Sequence, residues 1–278
     1  VLYGALSNQG AETPNRESAH HHLQRLKLVG AHSAKIYQQG QRERRQWYAQ
    51  ACREEKMLCI SEGGGDLWQN LTMYADGFQG VEHTMPGPGI YADVRAFVAG
   101  SHSPGSWGTA NSPTLLVSYN SIMGENWFYQ HMNPLDDARL LRHYPRRELD
   151  ARAWRPFVMA QDGDWAFQQT ARDVAAMQDA GALITLGAHG QLQGLGVHWE
   201  LWAMAGATGP GGGGAMEPLE ALRAATLDGA RYLGLADQLG SLRAGKLADL
   251  VVLEADPLVD IHNSARIAFT VKNGEIWR

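Results

Sequence analysis

Residues 41–62, QRERRQWYAQACREEKMLCISE, hold one complete helix-and-strand unit and decide the fold class. Charged and apolar residues recur at helical spacing over residues 41–56, which predicts an amphipathic helix. The run MLCISE at 57–62 is short and apolar, and the glycines at 63–65 end it, so it predicts a buried strand. Asp66 follows these glycines and is a suitable N-cap for a further helix.

The same alternation of helix and strand continues on both sides of this unit. Further helices are predicted over residues 17–29, after Asp66, near 90–99 and over 164–180. The predicted strands cover residues 33–37, 57–62, 80–84, 112–118 and 182–187. Strands this apolar are buried on both faces, which is typical of parallel β-α-β units. The sequence therefore predicts an α/β fold, in which function gathers at the carboxyl ends of the strands.

The last quarter of the chain has a different pattern. Residues 217–234 predict a pair of amphipathic helices. The stretches GSLRAGKLADLVVLEADPL at 240–258 and IAFTVKNGEIWR at 267–278 then predict β-hairpin strands with Gly and Asn-Gly turns. We therefore expect two domains, a barrel-forming part over residues 1–235 and a small β-sandwich part over residues 236–278.

Composition narrows the functional classes. The 278 residues carry 24 basic and 29 acidic side chains, a net charge of −5, and no basic block, which argues against nucleic-acid binding. No apolar run approaches the roughly 18–20 residues that span a bilayer. Cys52 and Cys59 are too few for a disulfide framework, and we expect both to be reduced core thiols. The chain begins at Val1, so we expect it to be processed or to be a portion of a longer polypeptide.

Four ionisable side chains stand at the ends of the predicted strands. Lys35 is in the first strand, Glu62 ends the second, His83 ends the third and His189 follows the fifth. Imidazole and carboxylate suit zinc or a similar divalent ion, which activates water for hydrolysis. A protonated lysine cannot be a ligand, so Lys35 would have to be neutral or carboxylated. The alternative for each single residue is an ordinary surface or core position.

Aromatic residues follow the fourth and fifth predicted strands and are candidates for a substrate pocket. They are Tyr119, Trp127, His198 and Trp202. For His198, which lies beside two tryptophans in GVHWELW, packing is the favoured interpretation and a place in the pocket is the alternative. Other catalytic templates do not fit, because the sequence has neither G-x-S-x-G nor H-E-x-x-H.

Several motifs together resemble the amidohydrolase superfamily. The tail GSLRAGKLADLVVLEADPL is similar to the closing segment of that superfamily, and PLEALRAATLDGARYLGL at 218–235 is similar to the helix pair before it. Upstream motifs resemble one subgroup, in which the amidohydrolase domain follows a TolB-like β-propeller in large exported bacterial proteins. These motifs are YGA at 3–5, SAKIYQ at 33–38, EGGGDL at 62–67, GVEH at 80–83, SPTLLVS at 112–118, GENWFYQH at 124–131 and TLGAHGQLQGLGVHWELW at 185–202.

The resemblance implies a (β/α)8 barrel that hydrolyses amide, cyclic amide or ester bonds with one or two divalent ions, zinc being the expected one. Lys35 then matches the lysine of the fourth strand, which is often carboxylated, and His83 matches the histidine of the sixth. Two positions depart from the pattern, because Glu62 stands at the fifth-strand histidine position and His189 at the eighth-strand aspartate position. Glu62 or His189 would take the acid–base role.

The five predicted strands match the last five of the eight in such a barrel. An open barrel exposes its core and two strand edges. We therefore expect the first three strands, with their His-x-His pair, to come from an N-terminal part of the same protein or from a partner chain, and we expect a homo-oligomer. The leading hypothesis is hydrolysis of a C–N bond in a dipeptide-like or cyclic amide. The alternatives are a lactone hydrolase and a non-catalytic binding or structural domain.

Overall fold

A parallel sheet forms the centre of the first part of the chain. The computed structural model describes the strand at residues 2–7 and residues 13–37, 39–87, 89–101, 108–117, 122–154, 160–208 and 215–278. The described strands of this sheet are β1 (Leu2–Ser7), β2 (Ala31–Tyr37), β3 (Leu58–Glu62), β4 (Gly80–Glu82), β5 (Ala110–Ser112) and β6 (Leu183–Ile184). Each strand pairs in parallel with the next one along the chain, in the order β1 to β6. This confirms the predicted α/β class.

Helices separate the strands, as the amphipathic pattern predicts. They are α1 (Arg16–Leu28), α2 (Arg42–Glu55), α3 (Leu67–Ala75), α4 (Ala92–Gly100), α5 (Gly124–His131), α6 (Ala138–His143), α7 (Arg146–Ala153), α8 (Ala166–Asp179), α9 (Leu195–Met204), α10 (Pro218–Arg223) and α11 (Gly229–Tyr232). Asp66 caps α3, because its side chain accepts a hydrogen bond from the amide of Gln69. In the order of the sequence, β3 and β5 each lie between two helices. All of their residues are buried, so both strands form part of the core.

The strand prediction was wrong in two places. The described part of the sheet has six strands instead of five, because residues 2–7 add β1 beside β2. The fourth predicted strand, 112–118, ends at Ser112, and residues 115–117 form a turn of 3-10 helix. Pro113 has no amide hydrogen for a sheet and Thr114 has a φ of 49°, so the chain cannot continue as a strand there.

The end of the chain forms an antiparallel sheet of β7 (Leu250–Leu253), β8 (Ile267–Lys272) and β9 (Glu275–Trp277). Asn273 and Gly274 join β8 to β9 with φ angles of 51° and 84°. A type I′ hairpin turn needs two residues with positive φ, which Asn-Gly adopts readily. The predicted Asn-Gly hairpin is therefore confirmed.

The chain forms two compact units. The first comprises residues 1–86, 90–113 and 177–185, and the second comprises residues 87–89, 114–176 and 186–278. The parallel sheet belongs to the first unit and the antiparallel sheet to the second. The expected domain boundary near residue 235 stays a prediction.

The two cysteines correct another expectation. Cys52 in α2 and Cys59 in β3 are joined by a disulfide, with their Cα atoms 5.8 Å apart, so they are not reduced thiols. The prediction failed because the pairing depends on how the helix packs on the following strand, and seven residues of sequence separation do not reveal that packing.

Membrane-spanning helices are not found in the part of the chain that the structure describes, since no helix there combines the required length with the required apolar character.

Candidate active site

Three neighbouring strands bring charged side chains together near their carboxyl ends. Glu62 at the end of β3 pairs in register with Glu82 at the end of β4, so both side chains lie on the same face of the sheet. Lys35 of β2 pairs with Ile60, two residues before Glu62 and on its face. The Lys35 ammonium lies 2.5 Å from Glu62 Oε2 and 3.5 Å from Glu82 Oε2. The register of the three strands therefore places the Lys35 ammonium between two carboxylates.

His83 completes this group, which we call the charge cluster: Lys35, Glu62, Glu82 and His83. The Nε2 atom of His83 lies 2.7 Å from Oε1 of Glu62. Consecutive strand residues normally point to opposite faces, so Glu82 and His83 would diverge if β4 continued. The backbone of His83 instead has a φ of 72° in the left-handed region. This left-handed turn lets two consecutive residues join one cluster, and such conformations are typical of functional sites.

Asn111 of β5 fixes the backbone around His83 by hydrogen bonds. Its Nδ2 donates to the carbonyl oxygens of Val81, at 3.0 Å, and of His83, at 2.9 Å. The His83 amide in turn donates to the carbonyl of Ser112 at 2.7 Å. These buried hydrogen bonds stabilise the left-handed conformation of His83 and thereby offset its cost. Asn111 is itself 1% exposed.

Gly63 holds the other side of the cluster. Its amide donates to the carbonyl of Glu82 at 3.1 Å, and a Cβ at this position would lie only 2.3 Å from that oxygen. The chain can therefore approach β4 this closely only at a glycine. Asn70 fixes the following loop through hydrogen bonds with both the amide and the carbonyl of Gly64.

The electrostatics of the cluster centre on Glu62. Burial by itself raises the pKa of Glu62, since its side chain is 4% exposed, but the hydrogen bonds and charges of His83 and Lys35 outweigh burial and lower the pKa to about 2. Glu62 is thus held as a carboxylate at neutral pH. A buried carboxylate of this kind can bind a cation or accept hydrogen bonds.

His189 lies in the second unit and is described there by itself. It is exposed, has a φ of 55°, and its Nδ1 lies 3.2 Å from Oε1 of Gln191. The Nε2 of Gln191 donates to Oε1 of buried Glu125 at 3.0 Å. The structure thus brings Lys35, Glu62 and His83 together in the first unit, while the expected role of His189 stays a prediction.

Two of the residues expected to line a substrate pocket, Trp127 and Trp202, make packing contacts. Tyr119 lies outside the described residues. Trp127 of α5 stacks on His131 with ring centroids 4.2 Å apart. Trp202 is 3% exposed, and its Nε1 donates to the carbonyl of Ile261. These contacts are packing contacts, and a contact of Trp127 or Trp202 with substrate stays a prediction.

His198 also packs within the second unit. Its Nδ1 lies 3.1 Å from the hydroxyl of Ser264, and its ring lies 6.3 Å from that of Trp202. Burial lowers the pKa of His198, while the charge of Asp137 acts in the opposite direction. The packing interpretation of His198 therefore has direct support, and its role in substrate binding stays a prediction.

Sequence reasoning missed Glu82 and Asn111. Glu82 directly precedes His83, and the alternation rule places neighbours on opposite faces, so choosing His83 excluded Glu82. Asn111 lies directly before the predicted strand 112–118 and gives no signal by itself. Only the buried polar residues Asn111 and Ser112 of β5, with Thr109 just before this strand, could have drawn attention to it.

The charge cluster contains donor groups of the kinds that bind a divalent ion. Two carboxylates and an imidazole are ligands that zinc accepts, and the Lys35 ammonium between Glu62 and Glu82 shows that these carboxylates already neutralise a cation. Within the described ranges, no three His, Cys, Asp or Glu side chains are grouped as a ready metal site. The chemistry of the donors therefore fits an ion, whereas in this structure both carboxylates contact Lys35 and Glu62 also contacts His83.

Comparisons with known proteins point in one direction. The sequence model described as the amidohydrolase family matches residues 132–277. An S-triazine hydrolase from Gordonia rubripertincta is 54% identical over 37 residues, which are 13% of this chain and 8% of that protein.

Two solved structures share the fold. A Xaa-Pro dipeptidase with bound methionine has a TM-score of 0.65 and 18% identity, over 96% of this chain and 59% of that one. Molinate hydrolase has a TM-score of 0.62 and 19% identity, over 94% of this chain and 54% of that one. The chain thus spans less than two thirds of the length of these two structures.

Proposed function

Because the chain belongs to the amidohydrolase family, we propose that the protein is a metal-dependent hydrolase of C–N bonds in amides, dipeptide-like compounds or cyclic amides. The observation that carries the proposal is the charge cluster, in which buried Glu62 contacts both Lys35 and His83 at the carboxyl ends of parallel strands. Carboxyl ends are where barrel and open α/β folds place their active sites. The named activities of the S-triazine hydrolase and the Xaa-Pro dipeptidase support the substrate class.

The residues of the cluster take separate roles in this proposal. Glu62, Glu82 and His83 would hold one divalent ion, expected to be zinc, or share two ions with a carboxylated Lys35. Such an ion supplies Lewis acidity and lowers the pKa of water toward neutrality. Glu62 contributes a negative charge beside Lys35 and His83, and Asn111 keeps the His83 backbone in place. The acid–base role falls to Glu62 or His189.

The remaining parts of the proposal concern the surroundings of the site. The coverage of 59% of the Xaa-Pro dipeptidase supports a further segment, in the same polypeptide or in a partner chain, that completes an eight-stranded barrel. Small-molecule amides or peptides are the proposed ligands, with Tyr119, Trp127, His198 and Trp202 as pocket residues. A homo-oligomer and a fused TolB-like propeller stay predictions.

The test combines the metal content of the protein with substitutions of His83. The purified protein is expected to hold about one or more equivalents of zinc, iron or manganese per chain, the number of ions in known hydrolase sites. His83→Ala and the more conservative His83→Gln are expected to lower hydrolysis of an amide or dipeptide by about 10²-fold or more. His21→Ala, which changes an exposed histidine of α1, is the matched control and should have no effect.

Three outcomes count against the proposal. They are protein without bound metal after supplementation, full activity in both His83 variants, and a lactone hydrolysed in preference to every amide tested. The last outcome would leave the metal site in place and change the substrate class, while the first two would favour a binding or structural role.

A further inference from the structure

A cavity lies in the first unit at the point where β3 begins. Its volume is about 530 Å³, which is in the range of pockets that hold small organic molecules. Cys52, Met57 and Leu58 form its apolar wall, and all three are buried. We call this space the α2–β3 cavity. Its wall favours a ligand with an apolar body, because such a body leaves water when it binds.

The charged residues of the α2–β3 cavity are both basic. They are Arg53 in the last turn of α2 and Lys56, the C-cap of this helix. Gly77 and Gln79 complete the lining, so no described residue that lines the cavity is acidic. The cavity therefore combines positive charge with an apolar wall, and it favours a ligand that carries a negative charge.

The acidic residues that follow Arg53 in the sequence form ion pairs with another helix. Glu54 pairs with Arg16 of α1 at 2.8 Å. Glu55 pairs with Lys27 of the same helix at 3.0 Å. Both carboxylates thus balance cations of α1, and neither lines the α2–β3 cavity.

The carboxylate of Asp76, near Arg53, is also bonded elsewhere. Arg42 donates to its two oxygens at 2.9 and 3.1 Å, whereas Nη1 of Arg53 donates to the main-chain carbonyl of Asp76 at 3.1 Å. In the part of the chain that the structure describes, neither Arg53 nor Lys56 forms an ion pair with a carboxylate. An anion that enters the cavity supplies this partner, and a carboxylate can accept charge-assisted hydrogen bonds from both cations.

The end of α2 is compatible with an anion. The last carbonyl groups of a helix normally lack partners and disfavour negative charge. Here the carbonyl of Cys52 accepts a hydrogen bond from the amide of Met57 at 2.9 Å, and the carbonyl of Arg53 accepts one from the amide of Lys56 at 3.2 Å. These hydrogen bonds reduce the negative potential that the helix end presents to the cavity.

We propose that the α2–β3 cavity binds a small organic anion, a carboxylate with an apolar body. The body packs on Met57 and Leu58, and the carboxylate contacts Arg53 and Lys56. The site is separate from the charge cluster, since Leu58 and Glu62 are opposite ends of β3, about 13 Å apart along the strand. A bound ligand therefore leaves the charge cluster accessible, and the proposal does not depend on the proposed function.

The first test compares three ligands on the wild-type protein by two-dimensional ¹H–¹⁵N nuclear magnetic resonance. 2-Naphthoate is expected to bind with a dissociation constant of about 1 mM or tighter and to shift the amides of Met57, Gly77 and Gln79. The neutral 2-naphthamide should bind at least about 5-fold more weakly, and acetate, which lacks the apolar body, at least about 10-fold more weakly. No binding of 2-naphthoate, equal affinity for the amide, or shifts only outside the cavity would overturn the proposal.

The second test removes the two positive charges. Arg53→Gln and Lys56→Gln are each expected to lower the affinity for 2-naphthoate by about 3–10-fold. Both side chains are exposed, so the folded structure should persist. Arg16→Gln and Lys27→Gln remove the same charges from neighbouring α1 and are the matched controls, with an expected change of less than about 2-fold. Equal losses in the variants and in the controls would show general charge attraction and overturn the assigned site.

The third test separates this site from the charge cluster. His83→Ala is expected to leave the affinity for 2-naphthoate within about 2-fold of the wild-type value. A loss of binding in folded His83→Ala would place the ligand at the charge cluster and overturn the proposal. An inactive wild type that binds 2-naphthoate in the α2–β3 cavity would contradict the proposed function and support the anion site.

Discussion

At the scale of single residues, the charge cluster depends on places where the backbone departs from a regular strand. His83 leaves β4 with a left-handed φ, and Gly63 lets the end of β3 approach the carbonyl of Glu82. Both departures follow directly after a charged residue that ends a strand. Their physical effect is to aim side chains of adjacent positions at one point, which a continuous pleated strand cannot do. The cost is backbone strain, which Asn111 offsets by hydrogen bonding.

Gly63→Ala tests whether the charge cluster depends on the absence of a Cβ at position 63. The added Cβ would lie 2.3 Å from the carbonyl oxygen of Glu82, so β3 and β4 must separate and the cluster must loosen. We expect the free energy of unfolding to fall by at least about 2 kcal/mol, measured by chemical denaturation. Gly64→Ala is the matched control, because nothing lies within 4 Å of a Cβ there, and it should change stability by less than about 1 kcal/mol. Equal effects of the two substitutions would contradict the steric argument.

At the scale of elements, a disulfide fastens α2 to β3, the strand that ends in Glu62. Cys52 and Cys59 are both fully buried, and they close a short loop that contains the left-handed C-cap of α2 at Lys56. A cross-link in a short loop lowers the entropy of the unfolded chain modestly. The helix also contacts the preceding helix through the ion pair of Lys27 with Glu55, but that pair is at the surface and contributes little.

Removal of the disulfide should lower stability without changing the fold. Chemical reduction, or Cys52→Ser with Cys59→Ser, is expected to lower the free energy of unfolding by about 2 kcal/mol, from the chain entropy of a short loop. Thiol titration of the unfolded, unreduced protein should detect no free thiol, and the same titration after reduction should detect both. Two reactive thiols before reduction would contradict the cross-link. Reductant should have no effect on the double variant.

At the scale of the whole molecule, one buried acid couples stability to pH. Glu200 of α9 is fully buried, and its two oxygens accept hydrogen bonds from the amides of Leu115 and Leu116 at 2.7 and 3.0 Å. Burial raises the pKa of Glu200 from 4.5 to about 8, although the two amides act in the opposite direction. The folded protein therefore keeps a proton on Glu200 at neutral pH that the unfolded chain releases.

This difference predicts a loss of stability with rising pH. The contribution of Glu200 is complete below a pH of about 4.5, because the carboxyl is protonated in both states there, and it is lost as the pH rises toward about 8. The slope approaches about −1.4 kcal/mol per pH unit, the value for one proton. The measurement is the free energy of unfolding from pH 5 to 8 relative to Glu200→Gln, which has no such proton. Glu148→Gln, at an exposed position of α7, is the control, and a constant difference between wild type and Glu200→Gln would contradict the prediction.

Local patterns were sufficient for much of the fold. The helix over 41–56, the strand over 57–62, the Asp66 cap and the Asn273–Gly274 hairpin were all predicted, because each depends on residues near each other in the sequence. The strand β1 was missed because LYGALS has few large apolar residues and no clear alternation. It is a strand because β2 offers it a partner, and pairing of this kind overrides weak local preference.

Local pattern also brought Lys35, Glu62 and His83 to attention, since chain order reveals which residue types stand at strand ends. Their mutual contacts could not be read in the same way. His83 meets Glu62 across 21 positions, Gln191 meets Glu125 across 66, and Asn111 reaches His83 across 28. Such contacts depend on sheet register, on left-handed turns and on the packing of helices, each of which is set by the sum of many weak interactions throughout a unit. The amino-acid sequence therefore determines which chemical groups stand at the strand ends. The tertiary structure determines which of these groups contact each other, because those contacts depend on packing across the unit.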